Sequence, residues 1–269
     1  MTSLGLIFPP DRPPERLKAT AVAADRAGLE QLWLWEDCFK ESGVATAAAA
    51  LGWTERLVVG IGLLPVPLRN VALTAMELAT LERLFPRRVV PGVGHGVQDW
   101  MEQVGARVQS PMTLLREYTC ALRRLLHGEA VTVEGRYVRL ADVALDWPPR
   151  TAPPVLVGAV RDKTVAVAGE LGDGAILTDE ATPERVAEVT DALAAARAAG
   201  GRAGEPASDV VVFLPVETGL GAQQVAAAVD VYTRAGATHA ILLAVGDDDL
   251  DLADYAGFVA GEVRPMVGG

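Results

Sequence analysis

The stretch LVVGIGLLPVPLRNVALTAMELATLERLFPRRVVPGVGHG, residues 57–96, contains one complete unit of the predicted fold. Leu57–Leu63 and Arg88–Val93 are short, mainly apolar runs, which is typical of parallel strands that are covered by helices. Between them, Ala72–Leu84 is predicted to be a helix from the spacing of its apolar residues. A strand, a helix and a strand in this order predict a right-handed βαβ unit.

The same alternation continues through the rest of the chain. Eight strands and eight helices in strict order predict a (β/α)8 TIM barrel, one domain over residues 1–269, with a doubly wound open sheet as the second choice. Residues 128–154 interrupt the order, because two strand-like runs flank a Glu134-Gly135 turn and predict a β-hairpin inserted before the fifth strand. The other strands are predicted at 4–8, 32–35, 155–157, 175–177, 210–216 and 240–244, and the other helices at 15–27, 44–53, 112–126, 163–170, 182–199, 222–235 and 252–263.

The composition limits the classes of function. With 24 basic and 35 acidic side chains, the chain of 269 residues has a formal net charge of −11, which opposes binding to nucleic acid or to an anionic membrane surface. No apolar run reaches the roughly 20 residues of a membrane helix, and the first eight residues do not resemble a signal peptide. Two cysteines and no clustered His/Cys set predict a cytoplasmic protein without a disulfide framework or a metal site.

The carboxyl ends of the strands are where a barrel of this kind places its active site. The fourth strand leads into Gly92-Val93-Gly94-His95-Gly96, whose glycines would let backbone N–H groups approach an anion; the alternative is a tight strand exit without a ligand. After the fifth strand, Arg161 and Lys163 stand beside the start of a helix, where N–H groups and the dipole attract phosphate; the alternative is ordinary solvated surface charge. The acidic run Asp247–Asp249 after the eighth strand would repel phosphate, so the side of strands four and five is favoured.

Candidate catalytic groups follow the second strand. Glu36 and Asp37 are adjacent carboxylates behind Trp35, and neighbouring side chains of an extended chain point opposite ways, so at most one is expected to face the barrel mouth. A carboxyl partly removed from water there would have a raised pKa and serve as an acid or base; the alternative is a helix-capping role. His95 is a secondary candidate at a strand exit, and Cys38 is interpreted as a packing residue.

Several of these stretches together resemble the luciferase-like monooxygenase superfamily of flavin- and deazaflavin-dependent oxidoreductases, over nearly the whole chain. Their order and spacing carry the resemblance, which is greatest to the branch that uses coenzyme F420, a 5-deazaflavin. The matching stretches are LWLWED (32–37), WTERLVVGIG (53–62), ALTAME (72–77), GVGHG (92–96), LLRE (114–117), GE (128–129) with Gly135, and AGELGDG (168–174).

The resemblance implies a cofactor ring across the barrel mouth, over a bulge at the end of the third strand that carries a cis peptide bond, here Gly62–Leu63. It also implies Asp37 near the reactive edge of the ring. We therefore expect hydride transfer between F420 and a small organic substrate, in a homodimer. An FMN-dependent monooxygenase and a catalytically silent cofactor- or partner-binding homologue are the alternatives. The expected cofactor-binding residues are Gly62, Leu63, Leu64, Gly92, Gly94, His95, Gly96, Gln98, Gly158, Ala159, Val160, Arg161 and Lys163.

Two departures from the family pattern bear on the expected site. Arg69-Asn70-Val71 stands where relatives commonly have Arg-His-Pro, so a catalytic role for that histidine does not carry over. Arg161-Asp162 stands where relatives often have Gly-Pro, so either a charged side chain replaces backbone contacts to phosphate or the phosphate site is lost. A sugar-phosphate barrel enzyme is a third option, which Asp247–Asp249 disfavours.

Overall fold

The computed structural model describes residues 2–178 and 181–268, and ten strands lie within them. They are β1 (Ser3–Phe8), β2 (Gln31–Leu34), β3 (Val58–Pro65), β4 (Val89–Gly94), β5 (Val131–Glu134), β6 (Arg139–Val143), β7 (Leu156–Gly158), β8 (Gly174–Leu177), β9 (Asp209–Glu217) and β10 (His239–Val245). Eight parallel strands close a barrel in the order β1-β10-β9-β8-β7-β4-β3-β2, whereas β5 and β6 form a separate hairpin. The predicted (β/α)8 barrel, with a hairpin before its fifth strand β7, is confirmed.

Nine α-helices lie in the same described residues. They are α1 (Leu17–Ala27), α2 (Gly43–Trp53), α3 (Val71–Leu84), α4 (Gln98–Gln103), α5 (Pro111–Leu126), α6 (Asp162–Leu171), α7 (Pro183–Ala199), α8 (Ala222–Arg234) and α9 (Leu252–Phe258). None of them combines the length and the apolar character that crossing a bilayer requires.

The sequence accounts for several helix ends. Gly28 ends α1 with a left-handed φ of 83°, which glycine adopts without strain, and the Thr182 hydroxyl accepts the N–H of Arg185 at the start of α7. The helices differ from the prediction in two places. Helix α4 was not predicted, because six residues are too few to show a helical period. The last helix was predicted to continue to residue 263, but α9 gives way to a π-helical turn over Val259–Val263.

The core has two layers because successive side chains of a strand point to opposite sides of the sheet. Leu32 and Leu34 of β2 therefore pack outward against the helices, whereas Trp33 packs inside the barrel. The interior layer also contains residues of six other strands, and its buried members are Ile7, Trp33, Val90, Leu156, Ile176, Val211, Phe213 and Ile241. This layer supports the carboxyl-terminal end of the barrel from below.

Strand β3 contains the expected bulge. Its pairing with β4 shifts register between Ile61 and Leu64. The prediction of a cis bond at Gly62–Leu63 was wrong, because the bulge forms there with a trans peptide. Within the described residues the cis bond lies at Cys38–Phe39.

The barrel seams differ in length. Strands β4 and β7 are paired only at Gly92 with Leu156 and at Val93 with Val157. By contrast, β10 pairs with β9 along its whole length, His239–Val245. The shortest ladder of the barrel therefore lies directly below the carboxyl-terminal mouth at β4 and β7.

Candidate active site

A cavity of about 330 Å³ opens at the carboxyl ends of β2, β3, β4, β7 and β8. We call it the site cavity. Its volume lies at the lower end of the range for small-molecule sites. It brings together nine of the residues singled out from the sequence, namely Glu36, Asp37, Gly62, Leu63, Gly94, His95, Gly96, Gly158 and Val160.

The walls of the site cavity are largely apolar. The Phe213 ring lies 5.4 Å from the Trp35 ring and 5.6 Å from that of Trp33, which packs in the layer below. Sequence reasoning missed most of these walls. Phe213 was missed because it lies within a predicted strand, and only the register of the closed barrel shows which side chains of that strand point inward. Trp100 was missed because it lies on α4, a helix that was not predicted. The missed wall residues are Pro65, Val97, Trp100, Ile176, Thr178 and Phe213.

The glycines that surround Leu63 make room for its side chain. A Cβ at Gly158 or Gly94 would lie 2.6 or 2.8 Å from Leu63 Cδ1, and a Cβ at Gly92 would lie 2.4 Å from the Ile176 side chain. Close packing of the bulge on the barrel therefore accounts for glycine at these three positions. Gly96 differs, because its φ of 70° lies in the left-handed region and turns the chain into α4.

Glu36 is fixed by an ion pair. Its carboxylate accepts two hydrogen bonds from the Arg69 guanidinium, one of them 3.0 Å long, and it also accepts the N–H of Gly43 at 2.8 Å. Arg69 contacts Glu77 of α3 at 3.3 Å as well. Both oxygens of Glu36 are thereby occupied, so this residue holds the segment between β2 and α2 in place and is a poor candidate for proton transfer.

Asp37 has the opposite character. It is half-buried, lines the site cavity, and its carboxylate makes no hydrogen bond or ion pair within the described residues. Burial raises the pKa of Asp37 above its ordinary value; Asp11 acts in the same direction and Lys40 opposes it. Both residues line the site cavity, but the Glu36 carboxylate is bound to the scaffold, whereas that of Asp37 has no partner within the described residues.

A second cavity of about 630 Å³ adjoins the first. It lies between the chain segments that follow β1, β2 and β10, and both Trp35 and Asp37 line the two cavities. Asp247–Asp249, which the sequence placed after the eighth barrel strand, form part of its wall. Asp37 therefore lies between the two cavities.

The remaining expected residues lie elsewhere. Leu64 and Ala159 point outward into the helix-facing core, and Gly92 lies below the cavity floor. The Gln98 amide donates to the backbone oxygens of His95 and Gly96 at 3.1 and 3.3 Å and so closes the turn before α4. Arg161 and Lys163 are exposed at the start of α6, next to Val160 but outside the cavity wall.

Solved structures share this architecture. An F420-dependent secondary alcohol dehydrogenase in complex with an F420–acetone adduct superposes with a TM-score of 0.87 at 18% identity, covering 100% of this chain and 99% of that one. The oxygenating constituent of 3,6-diketocamphane monooxygenase from the CAM plasmid of Pseudomonas putida, in complex with FMN, gives a TM-score of 0.80 at 14% identity, covering 99% of each chain. At these identities the likeness establishes the fold.

Relatives are also found by sequence. A 5,10-methylenetetrahydromethanopterin reductase of Methanolobus tindarius is 24% identical over 269 residues, which covers 99% of this chain and 82% of that protein. An F420-dependent glucose-6-phosphate dehydrogenase of Kineococcus radiotolerans is 32% identical over 180 residues, which covers 61% of this chain and only 52% of that protein. The family described as luciferase-like monooxygenase matches residues 4–259, and the chain therefore belongs to this family of oxidoreductases.

Proposed function

We propose that the protein is an F420-dependent oxidoreductase that transfers hydride between the deazaflavin and a small organic substrate. The observation that carries this proposal is the free, half-buried carboxyl of Asp37 at the edge of an apolar cavity in a luciferase-like barrel. The match to a dehydrogenase described as F420-dependent supports the choice of cofactor.

The site cavity fits the flat ring of a deazaflavin. Gly62 and Leu63 offer a surface on the β3 bulge, and Trp35, Trp100 and Phe213 offer apolar contacts to a planar ring system. The Trp35 indole N–H is buried without a hydrogen-bond partner, so an acceptor on a ligand would satisfy it. The anionic tail of the cofactor would lie toward the backbone of Gly94–Gly96 and the exposed cations Arg161 and Lys163.

The residues of this chain would perform three tasks. The bound deazaflavin supplies a carbon that accepts or donates hydride. Asp37 carries the proton at its carboxyl oxygen, donating it to a substrate carbonyl in reduction and accepting it from a hydroxyl in oxidation. The Arg69–Glu36 pair holds the segment that presents Asp37, and the aromatic walls exclude water from the reacting atoms. The second cavity would hold the part of the substrate remote from the reaction, because Asp37 faces both spaces.

FMN is the second candidate cofactor. The observation that favours it is the FMN complex among the solved structures with this fold. FMN would support oxygenation with molecular oxygen as a co-substrate, and the apolar walls of the site cavity suit either ring.

Cofactor binding tests both candidates. The protein would be titrated with F420 and, separately, with FMN, while tryptophan fluorescence is recorded. We expect F420 to bind more tightly than FMN. Trp100→Ala should weaken F420 binding at least fivefold, whereas Trp147→Ala, which removes a tryptophan that is 71% exposed and lies away from the cavity, should leave it unchanged. Tighter binding of FMN would favour the second candidate, and binding of neither would refute both.

The role of Asp37 is tested by turnover. With F420 bound, a panel of small secondary alcohols would be assayed as hydride donors through the absorbance of the cofactor. Asp37→Asn should lower kcat by about 100-fold while cofactor affinity stays within twofold, because only proton transfer is lost. Asp191→Asn, an exposed substitution on α7, is the matched control. Equal turnover by Asp37→Asn and the control would remove Asp37 from the mechanism.

A further inference from the structure

A row of polar side chains crosses the barrel interior below the site cavity. The Trp33 indole N–H donates to Gln31 Oε1 at 2.7 Å. Gln31 Nε2 lies 2.9 Å from Ser3 Oγ and 2.7 Å from His239 Nδ1. His239 Nε2 in turn lies 3.4 Å from Asp209 Oδ1. The row therefore runs from a fully buried tryptophan to a partly exposed carboxylate at the amino-terminal end of the barrel.

Only one assignment of protons satisfies all of these contacts. An indole N–H can only donate, so the atom of Gln31 that faces Trp33 must be the amide oxygen. The amide NH2 then faces Ser3 and His239 and donates to both. His239 must therefore present a lone pair at Nδ1, which places its hydrogen on Nε2, toward Asp209. Because the Trp33 indole N–H can only donate, it fixes which atom donates and which accepts in every hydrogen bond of the row.

Two glycines make room for this row. A Cβ at Gly5 would lie 2.9 Å from Gln31 Cβ, and a Cβ at Gly60 would lie 2.2 Å from the Trp33 ring. Gln31 itself is only 4% exposed, a degree of burial that a side-chain amide reaches when its hydrogen bonds are satisfied.

Trp33 connects the row to the candidate site. Its ring meets Phe213 edge to face at 5.6 Å, and a Cβ at Gly62 would lie 3.0 Å from the Trp33 ring. Phe213 and Gly62 both line the site cavity. A shift of Trp33 would therefore move the floor of the cavity.

We infer that Gln31 and His239 are positioning residues that hold Trp33, and through it the floor of the site cavity, by a hydrogen-bond row that requires neutral His239. Protonation would place an N–H on Nδ1 opposite the NH2 of Gln31. Gln31 would then have to turn its oxygen toward His239, which would leave the buried Trp33 N–H without an acceptor. Acidification would thus loosen the cavity floor. Only the effect on cofactor affinity rests on the proposed function.

Two groups contact the His239 ring from different strands. Asp209 on β9 lies beside Nε2, whereas Gln31 on β2 lies beside Nδ1. Glu30, next to Gln31, accepts the Leu4 N–H and is paired with Arg264. Because Nδ1 lies against the Gln31 amide, a change in the charge of the ring is transmitted to Gln31.

Nuclear magnetic resonance tests the row without any ligand. Long-range proton–nitrogen spectra at pH 7.5 should report His239 as the Nε2–H tautomer. Between pH 7.5 and 5.5, exchange of the Trp33 indole hydrogen, corrected for its intrinsic pH dependence, should become about tenfold faster in the wild type. In His239→Asn, whose amide oxygen replaces Nδ1 and does not titrate, the corrected rate should not change. His127→Asn, at an exposed histidine that ends α5, is the matched control and should behave like the wild type.

Affinity for the cofactor gives the second readout. The Kd for F420 should rise on acidification by a larger factor in the wild type than in His239→Asn. An Nδ1–H tautomer at pH 7.5 overturns the inference, as does an equal change of exchange rate in the wild type and His239→Asn. The tautomer measurement needs no variant and decides the question even if a substitution prevents folding. Failure of F420 to bind would count against the proposed function alone, because the tautomer and the exchange rates do not involve the cofactor.

Discussion

Replacing Arg69 by alanine should destabilise the protein far more than removing an exposed arginine. The side chains of Arg69 and Glu36 are only 15% and 9% exposed, so the substitution would leave a buried carboxylate without its cation. Two unit charges with centres about 4 Å apart attract by about 4 kcal/mol at an effective dielectric constant of about 20. Breaking a buried pair costs about 3–5 kcal/mol, and the residual exposure places our expectation at about 3 kcal/mol.

The assay for Arg69→Ala is thermal unfolding at pH 7. A loss of about 3 kcal/mol corresponds to a fall in Tm of about 6–10 °C for a chain of this size. Arg107→Ala is the control, because its ion pair with Glu102 is 51% and 65% exposed and should contribute less than about 0.5 kcal/mol. If the two variants lose the same Tm, the buried pair does not stabilise the segment between β2 and α2.

Three further predictions concern the same end of the barrel. Burial raises the pKa of Asp37 above 3.8, so its ionisation costs stability above that pH; Asp37→Asn should therefore raise the Tm at pH 7 and leave it unchanged near pH 3, where the carboxyl is neutral in both states. Gly158→Ala places a Cβ 2.6 Å from the flexible Leu63 Cδ1 methyl group, which can move into the site cavity, so the variant should mainly change cofactor affinity. Gly92→Ala places a Cβ 2.7 Å from the Ile61 backbone oxygen, which cannot move easily, so this variant should lower the Tm by several degrees. Arg161→Glu should weaken F420 binding several-fold, with exposed Arg26→Glu as the charge-matched control; unchanged affinity would argue against a phosphate contact.

The fold was predictable because it depends on patterns that are local in the sequence. Short apolar runs such as Val155–Val157 alternate with helical segments that carry recognisable ends, for example Thr182-Pro183. The adjacent carboxylates were also recognisable, because a strand exit restricts where they can point. The sequence did not show which of the two carboxylates is unpaired, because that depends on Arg69, which is 32 residues away from Asp37.

The glycine segment after β4 shows a second limit. In the sequence alone, glycines that admit an anion and glycines that admit a neighbouring side chain have the same pattern. The Leu63 side chain occupies the space of a Cβ at Gly94 and at Gly158, and it lies on a bulge of another strand. The aromatic walls were missed for a related reason, because inward and outward positions of a fully apolar strand differ only after the barrel has closed.

The short ladder between β4 and β7 has a consequence for how the closed barrel opens. With paired residues only at Gly92–Leu156 and Val93–Val157, this joint offers the least backbone hydrogen bonding to resist separation. Transient opening there would turn the closed barrel into one open sheet of eight strands, in which β1–β4 and β7–β10 remain joined where β1 pairs with β10. The site cavity spans this joint, with Gly94 on one side and Gly158 on the other. A molecule that contacts both Gly94 and Gly158 would hold β4 and β7 together and so oppose this opening. Ligand binding should therefore slow amide exchange at Val93 and Val157 more than in β9, which is paired with its neighbours over more residues.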